Sequence, residues 1–316
     1  MKINGKDVRA LWFSNGTLKI IDQTKLPKRF KVYECKKYRA VARAIRGMVV
    51  RGGPAIGAAA AYGMAMGAER PKRTSSALRN TRPTARDLFY AVSYMEEAIE
   101  EGKNPVEAAD RYVEALIDRC KRIGVNGLEV LGPHSKIMTH CNAGSLATVD
   151  YGTALSPIRL AHSKGLEPFV WVSETRPRLQ GMLTAWELGQ EGISHQIIVD
   201  GASGDLMRRG EVDLVLVGAD RITSGGDVVN KVGTYEKAVL AHENGVPFYV
   251  AAPKSTFDPE TERGDDVPIE ERDEKEVLFV GKRRVAPKGS RARNPCFDVT
   301  PARYVSGVIT EDGITQ

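Results

Sequence analysis

From about residue 125 the chain alternates short apolar runs with helical ones, and no other feature constrains its fold as strongly. The runs "KIMTHC", "PFVWVSE", "HQIIVD", "DLVLVGAD" and "PFYVAAP" are separated by "GTALSPIRLAHSKG", "GMLTAWELGQEG", "GDLMRRGE" and "VGTYEKAVLAHENG". Strands that are apolar nearly throughout are covered on both faces, and helices between them supply the cover, so the pattern predicts a parallel sheet. In such a sheet ligands bind beyond the carboxyl ends of the strands, which all open on one side. Each of these ends carries polar chemistry: His140, Cys141 and Asn142; Glu174, Thr175 and Arg176; Asp200; Asp220 and Arg221; Pro253, Lys254 and Ser255. Cys141 is therefore expected in a cleft.

Ahead of residue 125 the pattern is different. "VRALWFSNGTLKIID" is two apolar runs around Asn15-Gly16, a hairpin signal. "KYRAVARAIRGMVV" and "ARDLFYAVSYMEEAIEEG" space their apolar residues as helices do. "NPVEAADRYVEALIDRCKRIG" opens with Asn104 as a cap and Pro105 at the first helical position. With 316 residues the chain is too long for one ordinary core. An α/β protein of two domains is expected: 1–124, mostly helical with a short β-hairpin, and 125–316, carrying the parallel sheet.

Composition narrows the function classes. Cys35, Cys120, Cys141 and Cys296 are scattered with no CxxC, and the five histidines form no ligand pattern. Neither a disulfide framework nor a metal site is expected. The N-terminus lacks the layout of a signal peptide, and "PAIGAAAAYGMAMGA" is too short to span a bilayer. A cytoplasmic protein is expected, with no membrane partner. The net charge of +6 suits a small anionic ligand and argues little for nucleic acid. The basic "GKRRVAPKGSRAR" and the acidic "ETERGDDVPIEERDEKE" are read as compensating each other on a solvated loop.

Several segments could carry chemistry. "VVRGGPAIG" sets Arg51 before Gly52-Gly53 at a helix start, where free amides and a forked donor suit a phosphate; a tight turn into a packed helix would look the same. "VGADRITSGGDVVNKVGTY" puts Asp220 at a strand end and Asn230-Lys231 at an expected helix start. That Asp is either a general acid or base, or an N-cap or ion-pair partner. "SETRPRLQG" gathers Glu174, Arg176, Arg178 and Gln180, as either a ligand grip or a salt-bridge cluster. His140 precedes Cys141 directly, but neighbours on a strand face opposite ways, which disfavours a Cys–His hydrolase.

The segments "DQTKLP", "MVVRGGPAIGAAAAYG", "TRPTA", "THCNAGSLAT", "ETRPRLQG", "VGADRI", "GDVVNKVGTY", "FYVAAPKSTFD" and "NPCFDVTPA", running from Asp22 to Ala302, resemble the methylthioribose-1-phosphate isomerase family. Its relatives are the archaeal ribose-1,5-bisphosphate isomerases and the regulatory subunits of the eukaryotic initiation factor 2B complex. The resemblance implies a Rossmann-like C-terminal domain behind a mostly helical N-terminal one, assembled as a homodimer. It also implies that Cys141 and Asp220 are the catalytic pair, and that substrate contacts fall on Arg51, Gly52, Gly53, Arg82, Gln180, Asn230 and Lys231. Two positions depart from the common pattern: Ser173 stands where many members have Asp, and Gly201 where many have Asn.

The implied reaction turns an aldose 1-phosphate into its ketose, as in methionine salvage. It needs no cofactor: a proton donor at the ring oxygen, for which Asp220 is the candidate, and a group at C1–C2, for which Cys141 is the candidate. Hydrogen moves through an enediol or as hydride. A 5-deoxyribose or ribose 1,5-bisphosphate substrate, or a non-catalytic regulatory subunit, are the other readings. A methylthio group needs an apolar wall, for which Trp171 and Trp186 are candidates against plain core packing.

Overall fold

The computed structural model describes residues 1–82 and 85–315, so Pro83 and Thr84 of "TRPTA" lie outside the described residues. After a short hairpin of Lys2–Ile3 and Lys6–Asp7, the chain forms a three-stranded antiparallel sheet, β1 (Leu11–Ser14), β2 (Thr17–Ile21) and β3 (Val32–Cys35). Asn15 and Gly16 both take positive φ, 49° and 70°, the mirror-image turn whose twist matches that of its strands. Five helices follow: α1 (Tyr38–Arg46), α2 (Gly53–Met66), α3 (Pro71–Arg79), α4 (Arg86–Glu100) and α5 (Pro105–Asn126).

Helix α2 is the axle of this part. Most of its side chains are buried, and most of them are Ala or Gly, which lets α1, α4 and α5 pack close around it. Asn104 caps α5 by accepting the amides of Val106 and Glu107 at 3.0 and 3.3 Å. Along α5 the core changes: Leu116 and Cys120 belong to the cluster around α2, while Ile123 belongs to the cluster under the large sheet.

The large sheet holds β4 (Lys136–Thr139), β5 (Phe169–Ser173), β6 (His195–Ile198), β7 (Leu214–Val217), β10 (Phe248–Ala251), β12 (Gly307–Thr310) and β13 (Gly313–Thr315). All neighbours run parallel except β13, which returns antiparallel along β12. Its order is β13-β12-β10-β7-β4-β5-β6. The chain thus winds outward in both directions from β4, and the switch point falls between β4 and β7, where dinucleotide-fold proteins place their ligands. Helices α6 (Leu155–Ser163), α7 (Gly181–Gln190), α8 (Ser203–Arg208) and α9 (Thr234–Glu243) make the connections. The expected α/β architecture with a parallel, Rossmann-like sheet is present.

A four-stranded sheet stands beyond the switch point. It contains β8 (Arg221–Thr223), β9 (Val228–Lys231), β11 (Phe297–Thr300) and the two-residue strand Phe257–Asp258. This corrects the expected helix start at Asn230-Lys231: both residues end β9, and α9 opens only at Thr234. Pairing of β9 on both edges, with β8 and β11, holds this stretch extended. Gly233, at φ 98°, then turns the chain into α9.

Candidate active site

Strand β4 ends at Thr139, and the two residues after it decide the chemistry of the cleft. Cys141 takes φ 65°, a left-handed conformation costly for a side chain with a Cβ. Hydroxyls hold it there. Thr175 Oγ1 accepts the Cys141 amide at 2.9 Å, and Thr184 Oγ1 donates to the Cys141 carbonyl at 2.8 Å. Because the strand has ended, the alternation of faces no longer applies, and His140 and Cys141 both line the cleft. His140 is nevertheless no base for the thiol. Its Nε2 donates to the Val232 carbonyl at 2.8 Å and its Nδ1 meets Ser173 Oγ at 3.1 Å. Burial, with Lys237 beside it, holds the ring well below the ordinary histidine range. The hydrolase reading has no support.

The loop after Cys141 is tied down from α7. Glu187, fully buried, accepts from Asn142 Nδ2 at 2.8 Å and from the amides of Ser145 and Leu146 at 2.8 and 3.3 Å. Arg159 donates to the same carboxylate at 2.6 Å and to Glu191 at 2.6 Å. Gly144 has to be glycine here, since a Cβ would stand 2.4 Å from Glu187 Oε2.

Asp220 follows β7 on the other side of the switch point, its amide bonded to the Val229 carbonyl at 3.0 Å. Cys141 and Asp220 line one cleft together with Arg51, Gly52, Gly53, Arg82, Gln180, Asn230 and Lys231. All nine residues expected from the sequence are thus brought together, in a space of about 800 Å³ including its mouth. The N-terminal part contributes the Arg51–Gly53 turn and Arg82, the start of α7 contributes Gln180, and the strand ends contribute the rest. Gly52, at φ 95°, passes so close to the loop after Cys141 that a Cβ would lie 2.5 Å from the Ala147 Cα.

The cleft is cationic and short of partners. Burial, with Arg178 adding repulsion, lowers Arg51 to about 10, the sign of a guanidinium awaiting an anion. Among the described residues, Arg82 Nε and Gln180 Oε1 are buried without hydrogen-bond partners, which in a native cleft points to a ligand. Lys231 donates to the Cys296 carbonyl at 2.5 Å and lies over the Phe297 ring at 4.4 Å. Burial raises both Cys141 and Asp220, against the pull of Lys231 on each. Both groups therefore keep their protons further up the pH scale than free side chains do.

The sequence pattern misses several parts of the cleft. Met48, Arg272 and Phe297 all line it. Arg272 comes from the acidic stretch read as a solvated loop, and that reading needs correction. Glu270 lies 3.7 Å from Arg82 and 3.3 Å from Arg272, and Glu276 pairs with Arg178 at 3.0 Å. Only the outer pairs, Arg291–Glu274 and Arg293–Glu271, are the exposed compensation expected. Of the "SETRPRLQG" cluster, Gln180 reaches the cleft. Arg178 is engaged by Glu276, and Arg176 Nη2 donates to the Val277 carbonyl at 2.9 Å. Trp171 donates to the Glu211 carbonyl and packs below the sheet, and Trp186 packs near the N-terminus, so neither forms the wall of the cleft. Cys120 and Cys296 are buried packing residues.

The family described as the initiation factor 2 subunit family matches residues 49–316. The chain is 49% identical over 313 residues to the methylthioribose-1-phosphate isomerase of Aquifex aeolicus, covering 98% of this chain and 69% of that protein. It is 46% identical over 334 residues to the protein of that name from a Thermoanaerobacter species, covering 98% and 96%. The crystal structure of 5-methylthioribose 1-phosphate isomerase from Pyrococcus horikoshii superposes with a TM-score of 0.91 at 42% identity, over 98% of this chain and 93% of that one. A structure titled translation initiation factor eIF-2B, subunit delta, from A. fulgidus gives 0.87 at 43% identity, over 98% and 96%.

Proposed function

The chain belongs to the initiation factor 2 subunit family, and from its isomerase relatives we propose how it works, as an aldose–ketose isomerase converting 5-methylthioribose 1-phosphate to 5-methylthioribulose 1-phosphate in methionine salvage. The observation that carries this reading is the position of Cys141 and Asp220. They follow the two strands that flank the switch point and share one cationic cleft.

The phosphate sits at the Arg51–Gly53 turn, where Arg51 and the first amides of α2 meet it. Asp220, protonated through burial, donates to the furanose ring oxygen as the bond from that oxygen to C1 breaks. Hydrogen then moves from C2 to C1 while the C2 hydroxyl gives its proton to the carboxylate that Asp220 has become. The phosphate ester stays on C1, which becomes a methylene, and C2 becomes the ketone. Cys141 faces these carbons, as the base of an enediol route or as a neutral wall for hydride transfer. Gln180, Asn230 and Lys231 hold the sugar hydroxyls, and Arg82 its other end, which is the positional part of catalysis.

Two observations favour the methylthio substrate. Met48, Phe297 and Pro253 give the cleft apolar surface. Arg82 and Arg272 already share Glu270, which spends the charge a second phosphate would need. Side-by-side turnover is the test: methylthioribose 1-phosphate is expected to be isomerised fastest, 5-deoxyribose 1-phosphate more slowly, and ribose 1,5-bisphosphate least. Turnover of the bisphosphate alone would overturn the substrate assignment, and no turnover of any would favour the regulatory reading. The retained pair of Cys141 and Asp220 speaks against that reading.

The working unit is a homodimer in the cytoplasm. Ile197 and Val199 lie exposed on and just after the edge strand β6, as an interface would have them, and four free thiols suit a reducing compartment. Sedimentation at the monomer mass across micromolar concentrations would remove the dimer.

A further inference from the structure

Asp87 sits in the first turn of α4, only 1% exposed, against the turn proposed to hold phosphate. Its Oδ1 accepts from the Ser255 hydroxyl at 3.1 Å. Its Oδ2 is buried with no hydrogen-bond partner among the described residues. That bare oxygen occupies the space a side chain on Gly53 would fill: a Cβ there would stand 2.6 Å from it. Gly53 is the first residue of α2, a helix of 14 residues, and lines the cleft. A buried carboxyl with an unpartnered oxygen thus abuts the place where a helix offers its free amides.

We propose that Asp87 is a positioning residue for the anion at the start of α2: its neutral carboxyl admits a tetrahedral dianion beside Gly53, and its ionised form repels one. This rests on the reading of the Arg51–Gly53 turn as the phosphate site.

The groups facing Asp87 set its titration. Helix α2 presents only backbone at Gly53 and Gly57. Helix α5 presents Tyr112, Arg119 and Cys120, the end of β7 presents Asp220, the loop after β10 presents Ser255, and α4 itself adds Arg86. Burial, reinforced by Asp220, outweighs the Ser255 hydrogen bond and the two arginines and raises Asp87 to about 6. The sign follows. Below that pH the carboxyl is neutral in the empty protein and binding has nothing to displace. Above it the anion must bring a proton with it, so affinity falls by up to about tenfold per pH unit.

Inorganic sulfate is the probe, because its own charge stays constant across the range. Its affinity is measured by titration calorimetry from about pH 5.5 to about pH 8.5, for the wild type and for Asp87→Asn. The wild type is expected to bind progressively more weakly above pH 6. Asp87→Asn, neutral throughout, is expected to lose that slope and to bind up to about 100-fold more tightly than wild type near pH 8. Asp298, which burial also raises to about 6, is present in both proteins and drops out of the difference. Parallel slopes, or no sulfate binding at the lowest pH, would overturn the proposal. If that variant fails to fold, Ser255→Ala decides: losing the hydrogen bond that favours the ionised carboxyl is expected to move the fall in sulfate affinity to higher pH, and an unmoved slope overturns the proposal. Absent turnover of methylthioribose 1-phosphate with a sloped wild type would sink the isomerase reading alone. Turnover with parallel slopes would sink the role of Asp87 alone.

Discussion

Asp220→Asn is expected to lower kcat by about 10²- to 10⁴-fold, the range that a positioned proton donor contributes. The amide fills the same space beside β7 and keeps the Asp220 amide bond to Val229, so binding of sugar phosphate should survive. What disappears is the proton for the ring oxygen. Burial lifts Asp220 above the ordinary carboxylate range, opposed by Lys231 and Arg82 and helped by Glu270. A donor works while protonated, so wild-type kcat falls as pH rises through that raised value, and the variant should lack this alkaline limb. Cys141→Ser is expected to show a loss of the same order. The double variant should be little worse than the poorer single one, because groups that act on one transition state do not contribute additively. Steady-state kinetics of the three variants checks all of this, and near wild-type kcat for either single variant would remove it from the reaction.

Glu187→Ala should be the most destabilising single change near the cleft. It would strip one of the two carboxylates from the guanidinium of Arg159 and orphan the amides of Ser145 and Leu146. Breaking a buried ion pair on one side costs about 3–5 kcal/mol, a large share of the roughly 5–15 kcal/mol that holds a domain together. For a chain of this size that corresponds to a fall in Tm of about 5–8 °C. The same carboxylate anchors Asn142, next to Cys141, so kcat should drop even where the variant is folded. A Tm within about 2 °C of wild type, read by circular dichroism, would show that the loop holds without its anchor.

The sheet was legible because its strands are apolar on both faces and its turns are marked, and strand polarity then placed Cys141 and Asp220 on one side. Strands β12 and β13 carry less such signal: each opens on a glycine, Gly307 or Gly313, and no helical run separates the two. Asn230 and Lys231 were found as cleft residues but assigned to the wrong element, since local pattern cannot reveal pairing with β11 some 65 residues away. Arg272 was hidden for a related reason. Among acidic neighbours an arginine reads as solvated, and only the folded chain carries it back over Met48 and Glu270. Asp87 looks like any acidic residue in a helix's first turn until burial strands one of its oxygens.

Helix α5 has a consequence beyond packing. It is one rod of 22 residues, about 33 Å long. One end is locked to α2, whose first residues are proposed to grip the phosphate, and the other to the elements beneath the strands that lead to Cys141 and Asp220. On the proposed reading, the spacing between the phosphate turn and the thiol is held by this rod together with the direct packing of Gly52 on the anchored loop after Cys141. Such a cleft sorts its ligands by length: a phosphate one bond farther from the carbonyl carbon would reach the turn or the thiol, but not both.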